Sequence, residues 1–120
     1  IPHLDRQFSF IIGSAFVLFA GLALGASGAI ITLADAAPAL CVKLFKFFLE
    51  GKTDEARQLQ LDLIPLNKAV MITYGIPGLK YSLDLQGYYG GPCRLPLLPL
   101  DEKGKKEMEA ILKKLGLLKK

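Results

Sequence analysis

The sequence predicts an α/β fold in which two short parallel strands alternate with helices and a mostly helical region follows. Two apolar runs of about five residues, each rich in β-branched or aromatic side chains, lie in the first third of the chain and each precedes a helical pattern. Buried strands that alternate with helices are typical of a parallel sheet. The rest of the 120 residues has apolar side chains at helical spacing.

The first strand is predicted at residues 8–12, an apolar run that ends at Gly13. Residues 15–24 then have large and small apolar side chains at helical spacing, and Gly25 is placed to end that helix. A second apolar strand is predicted at residues 29–33. Both strands are expected to be buried on both faces, because neither alternates polar with apolar residues.

The helix after the second strand is predicted to begin at Asp35, a residue type that caps helices, and to end near Glu50. Two parallel strands leave both edges of a sheet open and both of its faces in need of cover. The order strand, helix, strand, helix therefore predicts the end of a larger α/β array. The missing part is expected on the N-terminal side.

The remaining segments predict three helices. Thr53 is placed to cap the first, which ends near Tyr74, and Pro77 suits the first turn of a second helix at residues 76–86. Asp101 is placed to open the last helix, after a Gly- and Pro-rich connection expected to be ordered. Apolar stripes on the first and last helices comprise Ala56, Leu59, Leu63, Leu66 and Val70, and Met108, Ile111, Leu112 and Leu115.

Composition excludes several classes of function. The net charge of +4 comes mainly from residues 103–120, where lysines alternate with Glu and Leu as on a solvated helix face, so nucleic-acid binding is not expected. Cys41 and Cys93 are isolated thiols without metal-ligand spacing, and His3 is far from both. We therefore expect no metal or cofactor, and a reducing compartment such as the cytoplasm or the mitochondrial matrix.

A membrane-spanning helix is the main structural alternative. Residues 8–34 contain no charged side chain, and Gly21 and Gly25 have the spacing that lets two membrane helices approach closely. The glycines and serines inside this segment, and its β-rich ends, favour division into strand, helix and strand. No membrane partner is therefore expected.

A resemblance to a known family covers nearly the whole chain and is carried by five segments in matching order. They are residues 25–35 (GASGAIITLAD), Pro38, residues 50–57 (EGKTDEAR), residues 75–80 (GIPGLK) and residues 87–97 (GYYGGPCRLPL). Together they resemble the C-terminal part of the dihydrodipicolinate synthase and N-acetylneuraminate lyase family of class I aldolases. The last segment is most similar to the 4-hydroxy-2-oxoglutarate aldolases of that family.

The resemblance implies a (β/α)8 TIM barrel followed by a C-terminal helical extension. Residues 1–52 would supply the seventh and eighth strands with their helices, and residues 53–120 the extension. Active sites of such barrels lie at the carboxyl ends of the strands. By similarity, Gly13 lines the substrate pocket, Ser14 lies beside it, and Ile30 places its main-chain carbonyl near the catalytic lysine, although by side chain Ile30 is a buried strand residue. Gly13 could instead only end a strand.

The family's reaction depends on a strand-borne lysine that forms a Schiff base with pyruvate. The lysines before residue 100 lie on or beside predicted helices and the others in the C-terminal tail, so no catalytic residue is expected in this chain, and the segment alone is expected to be inactive. Tyr74, Tyr88 and Tyr89 match the extension rather than a strand, and Arg94 is expected to fasten its loop to a helix end.

The implied activity is cleavage of 4-hydroxy-2-oxoglutarate to pyruvate and glyoxylate by a homo-oligomer, a tetramer by family, that includes the missing N-terminal barrel half. Three alternatives remain. The chain could belong to a dihydrodipicolinate synthase-like or other 2-keto acid lyase of the same family. It could be a non-catalytic remnant or partner subunit, or the single-span membrane protein considered above.

Overall fold

The two predicted strands and the alternating helices are present. The computed structural model describes residues 8–118, so His3 lies outside the described part. The strands are β1 (Ile11–Ile12) and β2 (Gly28–Ala29). A 3-10 turn at Ala15–Val17 precedes the first helix, and a π-helical turn at Ala69–Thr73 follows the fourth. The helices are α1 (Leu18–Ala23), α2 (Leu33–Ala36), α3 (Pro38–Leu49), α4 (Thr53–Lys68), α5 (Gly75–Leu85) and α6 (Glu102–Lys114).

The two strands are parallel, as predicted, with Ile11 opposite Gly28 and Ile12 opposite Ala29. The pairing ends where the Ile30 amide donates to the Ile12 carbonyl at 2.9 Å. The bounds predicted for both strands, residues 8–12 and residues 29–33, are wrong. Within the described residues β1 contains only Ile11–Ile12, β2 begins at Gly28, and Leu33 already starts α2. A strand persists only where a neighbour pairs with it, and β1 offers β2 only a short ladder.

The sheet has one covered and one uncovered face, so the predicted burial of both faces is not met within residues 8–118. Ile12 is only 4% exposed and packs against Gly21 of α1, whereas Ile11 is 43% exposed. Since side chains alternate along a strand, Ile11 and Gly13 share one face with Gly28 and Ile30. We call these four residues the uncovered face. No described element covers it, which explains why its apolar side chains meet solvent.

Helix starts were predicted with mixed success. Asp101 accepts a hydrogen bond from the Gly104 amide at 2.7 Å and caps α6, as predicted. Asp35 lies inside α2 and caps nothing; α3 instead begins at Pro38, which needs no partner for a first-turn amide. Thr53 is the first residue of α4 rather than its cap.

The core joins the sheet's covered face to the helical extension. The predicted apolar stripes are buried in part: Leu66, Met108 and Leu112 have no exposed surface. Leu59, Ile111 and Leu115 are only partly buried. Each buried side chain of this size stabilises the fold by about 1.5–3 kcal/mol relative to exposure. The fully buried set also includes Leu33 and Leu44 from the strand-containing part, so a single core holds both parts together.

The Gly- and Pro-rich connection is ordered against α5, as predicted. The Gly90 amide donates to Asp84, and the Gly90 carbonyl accepts from the Lys80 ammonium, both at 2.7 Å. A Cβ at Gly90 would lie 1.9 Å from the Lys80 carbonyl oxygen, so only glycine permits this approach.

The uncharged segment at residues 8–34 divides into strand, short helix and strand, as the sequence analysis favoured. Among residues 8–118, no helix combines the length and the apolar character that crossing a bilayer requires.

Candidate functional site

The predicted substrate-binding residues lie together at the carboxyl end of the sheet. The hydrogen bond from the Ile30 amide to the Ile12 carbonyl sets Ile30 beside Gly13, and Ser14 follows directly. Gly13 and Ile30 belong to the uncovered face. The arrangement is the one that the barrel resemblance implies for a strand-end site.

Nothing within residues 8–118 requires position 13 to be a glycine. It is absent from the glycines with positive φ, so its backbone conformation is open to other residues. A Cβ built on it would meet nothing within 4 Å. Neither a steric contact nor a positive φ therefore requires glycine here within residues 8–118, and both interpretations of Gly13, pocket lining and strand end, stay predictions.

Ser14 is half-buried and begins the connection to α1. Its carbonyl accepts from the Val17 amide at 3.3 Å, which closes the 3-10 turn. Its side chain does not cap the turn. Within the described residues the Ser14 hydroxyl has no hydrogen-bond partner, so it is available to a ligand at the strand end.

The interpretation of Ile30 as a buried strand residue is wrong. Its side chain is 81% exposed, because the uncovered face has nothing packed on it. Its amide is used by the sheet, while no donor in the described part of the chain reaches its carbonyl oxygen. A main-chain carbonyl free to face a ligand or a neighbouring group is therefore present where the resemblance implies one.

Gln60 is a site-associated residue that the sequence analysis missed. It lies on α4 and is only 8% exposed. Its side-chain amide donates to the Ala15 carbonyl and accepts from the Phe19 amide, both at 2.9 Å. Only its position in the sequence could have indicated a buried role, because Gln60 interrupts the apolar stripe of α4 between Ala56 and Leu63.

Apolar grooves flank both edges of the sheet. A groove of about 500 Å³ lies between β1 and α1, and one of about 300 Å³ lies between β2 and α3. Cys41 lines the second, and its burial raises the pKa of the thiol to about 11, so it stays protonated at neutral pH. Open strand edges beside apolar grooves are surfaces that a further strand and helix would fill.

No lysine in the described part of the chain follows a strand, as predicted. Lys43 and Lys46 lie on α3, Lys80 lies on α5, and Lys52 and Lys68 lie at the two ends of α4. The other described lysines, Lys103, Lys105, Lys106, Lys113 and Lys114, lie on α6.

The tyrosines of the extension are likewise remote from the strand ends. The Tyr74 hydroxyl hydrogen-bonds the Glu107 carboxylate, which raises the pKa of Tyr74 to about 12 and links the start of α5 to α6. Tyr88 and Tyr89 lie exposed in the loop after α5. The expected fastening by Arg94 is not found, since its guanidinium is exposed and makes no hydrogen bond or ion pair within residues 8–118.

The strand ends carry hydrogen-bonding groups but no ionisable side chain. These groups are the backbone at Gly13 and Ile30 and the hydroxyl of Ser14. Across the described ranges, no three His, Cys, Asp or Glu side chains come together as metal ligands. A reaction at this position needs groups from beyond these residues.

Comparison with known proteins gives a consistent result. Residues 3–115 match the Dihydrodipicolinate synthetase family. The chain is 34% identical to the 4-hydroxy-tetrahydrodipicolinate synthase of Thermoanaerobacter sp. (strain X514), over 91% of this chain and 39% of that protein. It is 33% identical to the 4-hydroxy-tetrahydrodipicolinate synthase of Methanocaldococcus jannaschii, over 95% of this chain and 39% of the relative.

Solved structures show the same fold. Dihydrodipicolinate synthase from Thermotoga maritima superposes with a TM-score of 0.83 at 33% identity, covering 94% of this chain and 39% of that one. The enzyme from Aquifex aeolicus gives a TM-score of 0.84 at 30% identity, covering 99% and 41%. The chain therefore spans about two fifths of the length of these relatives.

Proposed function

Because the chain belongs to the dihydrodipicolinate synthetase family, we propose that it supplies the seventh and eighth strands and the C-terminal extension of a (β/α)8 Schiff-base aldolase. The observation that supports this most directly is the uncovered face. It presents Gly13 and Ile30 at the strand ends while both sheet edges remain open beside apolar grooves. A barrel interior would lie on that face, and residues 1–52 and 53–120 would be its barrel and extension parts.

The missing partner is an N-terminal barrel segment that supplies the other strands and the catalytic lysine. It would pair with the free edges of β1 and β2 and fill the two grooves. The complete barrel is proposed to form a homo-oligomer, a tetramer by resemblance, in the cytoplasm or the mitochondrial matrix. The alternative of a split subunit has the same interface, with the barrel segment on another polypeptide.

The proposed reaction is cleavage of a 2-keto acid through an imine. The lysine of the N-terminal segment condenses with the keto carbon, and the bond between carbons 3 and 4 of 4-hydroxy-2-oxoglutarate breaks. Its electrons enter the imine to form an enamine while the C4 hydroxyl loses its proton, which releases glyoxylate. The enamine then takes up a proton at C3, and hydrolysis of the resulting imine releases pyruvate and the free lysine. In this chain Gly13 admits the substrate to the backbone, and Ser14 and the Ile30 carbonyl hydrogen-bond to the reacting groups.

Cleavage of 4-hydroxy-2-oxoglutarate is supported by the segment GYYGGPCR at residues 87–94. A second candidate is synthesis of 4-hydroxy-tetrahydrodipicolinate, which is supported by the names of the two relatives. The complete protein should therefore be assayed for both reactions. Release of glyoxylate from 4-hydroxy-2-oxoglutarate supports the aldolase; formation of 4-hydroxy-tetrahydrodipicolinate supports the synthase; neither product would favour a non-catalytic remnant.

Gly13→Ala tests the site itself. The new methyl group enters open space, so the free energy of unfolding should change by no more than about 0.5 kcal/mol. In the complete protein the methyl group would occupy the substrate's place, and kcat/KM should fall about 10- to 100-fold. The matched control is Gly28→Ala, which also meets nothing within 4 Å but lies at the amino end of its strand. Equal kinetic effects of both variants would contradict the site.

A further inference from the structure

The side chain of Gln60 is inserted into the backbone of the turn that follows the candidate site. Its Nε2 donates to the Ala15 carbonyl, and its Oε1 accepts from the Phe19 amide. Ala15 and Phe19 are four residues apart, so in a continuous α-helix these two backbone groups would bond to each other. The amide of Gln60 replaces that bond by bridging the two groups.

This insertion interrupts the helix at its start. Residues Ala15–Val17 form a 3-10 turn, and Val17 has φ −121° and ψ 22°, which is outside the helical range. Neither Ser14 nor Val17 caps the elements they precede with a side chain. Gln60 is thus the side chain that satisfies the Phe19 amide, one of the first-turn donors that a helix leaves unpaired.

The bridge connects the helical extension to the strand end. Gln60 lies on α4, 45 residues from Ala15, and its bonded amide is buried. Losing it would leave two backbone groups unpaired in a buried environment, unless they bond to each other. That closure would extend α1 backwards over residues 15–18 and move the connection that includes Ser14.

We propose that Gln60 is a positioning residue for the substrate-binding end of β1, acting by insertion of its side-chain amide between Ala15 and Phe19. The role of the extension at this site is then to hold the turn open, so that Gly13 and Ser14 face the ligand. The kinetic part of this inference depends on the proposed function. The structural part, the open turn, does not.

The experiment compares Gln60→Met with Gln58→Met in the complete protein. Gln58 is an exposed residue on the same helix whose amide bonds only Asp62, so it controls for the substitution. Hydrogen exchange is followed at the Phe19 amide, and KM and kcat are measured with the keto acid. For Gln60→Met we expect altered Phe19 exchange and a fall in kcat/KM of about 10- to 100-fold, mainly through KM. Gln58→Met should behave as wild type.

Gln60→Glu provides a second comparison that keeps the acceptor for Phe19. Its protonated carboxyl can still donate to the Ala15 carbonyl, whereas its ionised carboxylate would set a second acceptor against that carbonyl. The kinetic defect of Gln60→Glu should therefore grow as its carboxyl ionises, and this variant replaces Gln60→Met if Gln60→Met does not fold. Wild-type KM in folded Gln60→Met, or in Gln60→Glu with its carboxylate ionised, would overturn the positioning role. A wild-type protein without keto-acid activity would instead contradict the proposed function, and Phe19 exchange would still test the open turn.

Discussion

The strand-containing region (residues 8–52) and the helical region (residues 53–118) differ in what their apolar surface packs against. In the helical region α6 packs on both α4 and α5, and Leu63, Leu66, Met108 and Leu112 are at most 1% exposed. In the strand-containing region one face of the sheet packs on helices and the other is open, with Ile30 81% exposed.

The difference indicates which region depends on further chain. The buried side chains of the helical region belong to a core that they share with Leu33 and Leu44 of the strand-containing region, so truncating them should lower the stability of the whole described fold. The uncovered face contributes little to that stability. Under the proposed function, its residues would face a barrel interior and a substrate.

The largest expected difference in the free energy of unfolding is between Leu66→Ala and Ile30→Ala. Leu66 has no exposed surface, so its truncation should lower the free energy of unfolding by about 2–5 kcal/mol. Ile30→Ala should change it by about 0.5 kcal/mol or less, because that side chain is 81% exposed. Urea unfolding of the two variants of the 120-residue chain measures both changes in free energy. A large loss for Ile30→Ala would mean that the uncovered face is covered in solution.

The two cysteines give a second contrast. Burial raises the pKa of Cys41 from 9.0 to about 11, so below pH 9 its thiolate fraction is about a hundredfold smaller than that of an ordinary thiol. Cys93 is only half-buried. Iodoacetamide at pH 8 should therefore modify Cys93 first, and Cys41 at least about a hundredfold more slowly than an unperturbed thiol. Rapid modification of Cys41 would show that the strand-containing region opens readily.

The same shift predicts a pH dependence of stability. The unfolded state ionises Cys41 near pH 9.0, whereas the folded state holds the proton to about pH 11. This contribution to stability is therefore complete below pH 9.0 and is lost as the pH rises toward 11. Urea midpoints at pH 8 and pH 10 should show the loss, and Cys41→Ala should reduce it. An equal pH dependence in Cys41→Ala would assign the loss to other groups.

The smallest effect is expected at a helix cap. Asp101→Ala removes the bond to the Gly104 amide and should cost about 1 kcal/mol. Asp54→Ala, which removes an exposed ion pair with Arg57, should cost at most about 0.5 kcal/mol. Urea midpoints of the two variants measure the difference. Equal losses would mean that the cap contributes no more than a surface charge.

The features that sequence could predict are those with local signals. The order of strands and helices, their parallel pairing, the Asp101 cap and the stripe of α6 all follow from spacing and residue type. The exposure of Ile30 did not, because an apolar strand looks buried whether or not its cover is present. Asp35 failed as a cap because Pro38 starts the next helix by a different mechanism.

The polar residues of α4 lie beyond local prediction. Gln60 bonds to residues more than 40 positions away, so no neighbouring residue signals its role. Asn67 is 2% exposed, and neither of its side-chain polar atoms has a partner among residues 8–118. Both residues lie at the helical spacing of the apolar stripe. That position is the one feature of the sequence that indicates their burial.

The most direct test of the account is borohydride trapping with pyruvate, on the 120-residue chain and on the complete protein proposed to contain it. Mass spectrometry would give the stoichiometry and the modified lysine. We expect one adduct on the complete protein, at a lysine outside residues 1–120, and none on the 120-residue chain. A stoichiometric, single-site adduct on a lysine of the short chain would contradict the placement of its lysines on helices and the barrel built from it.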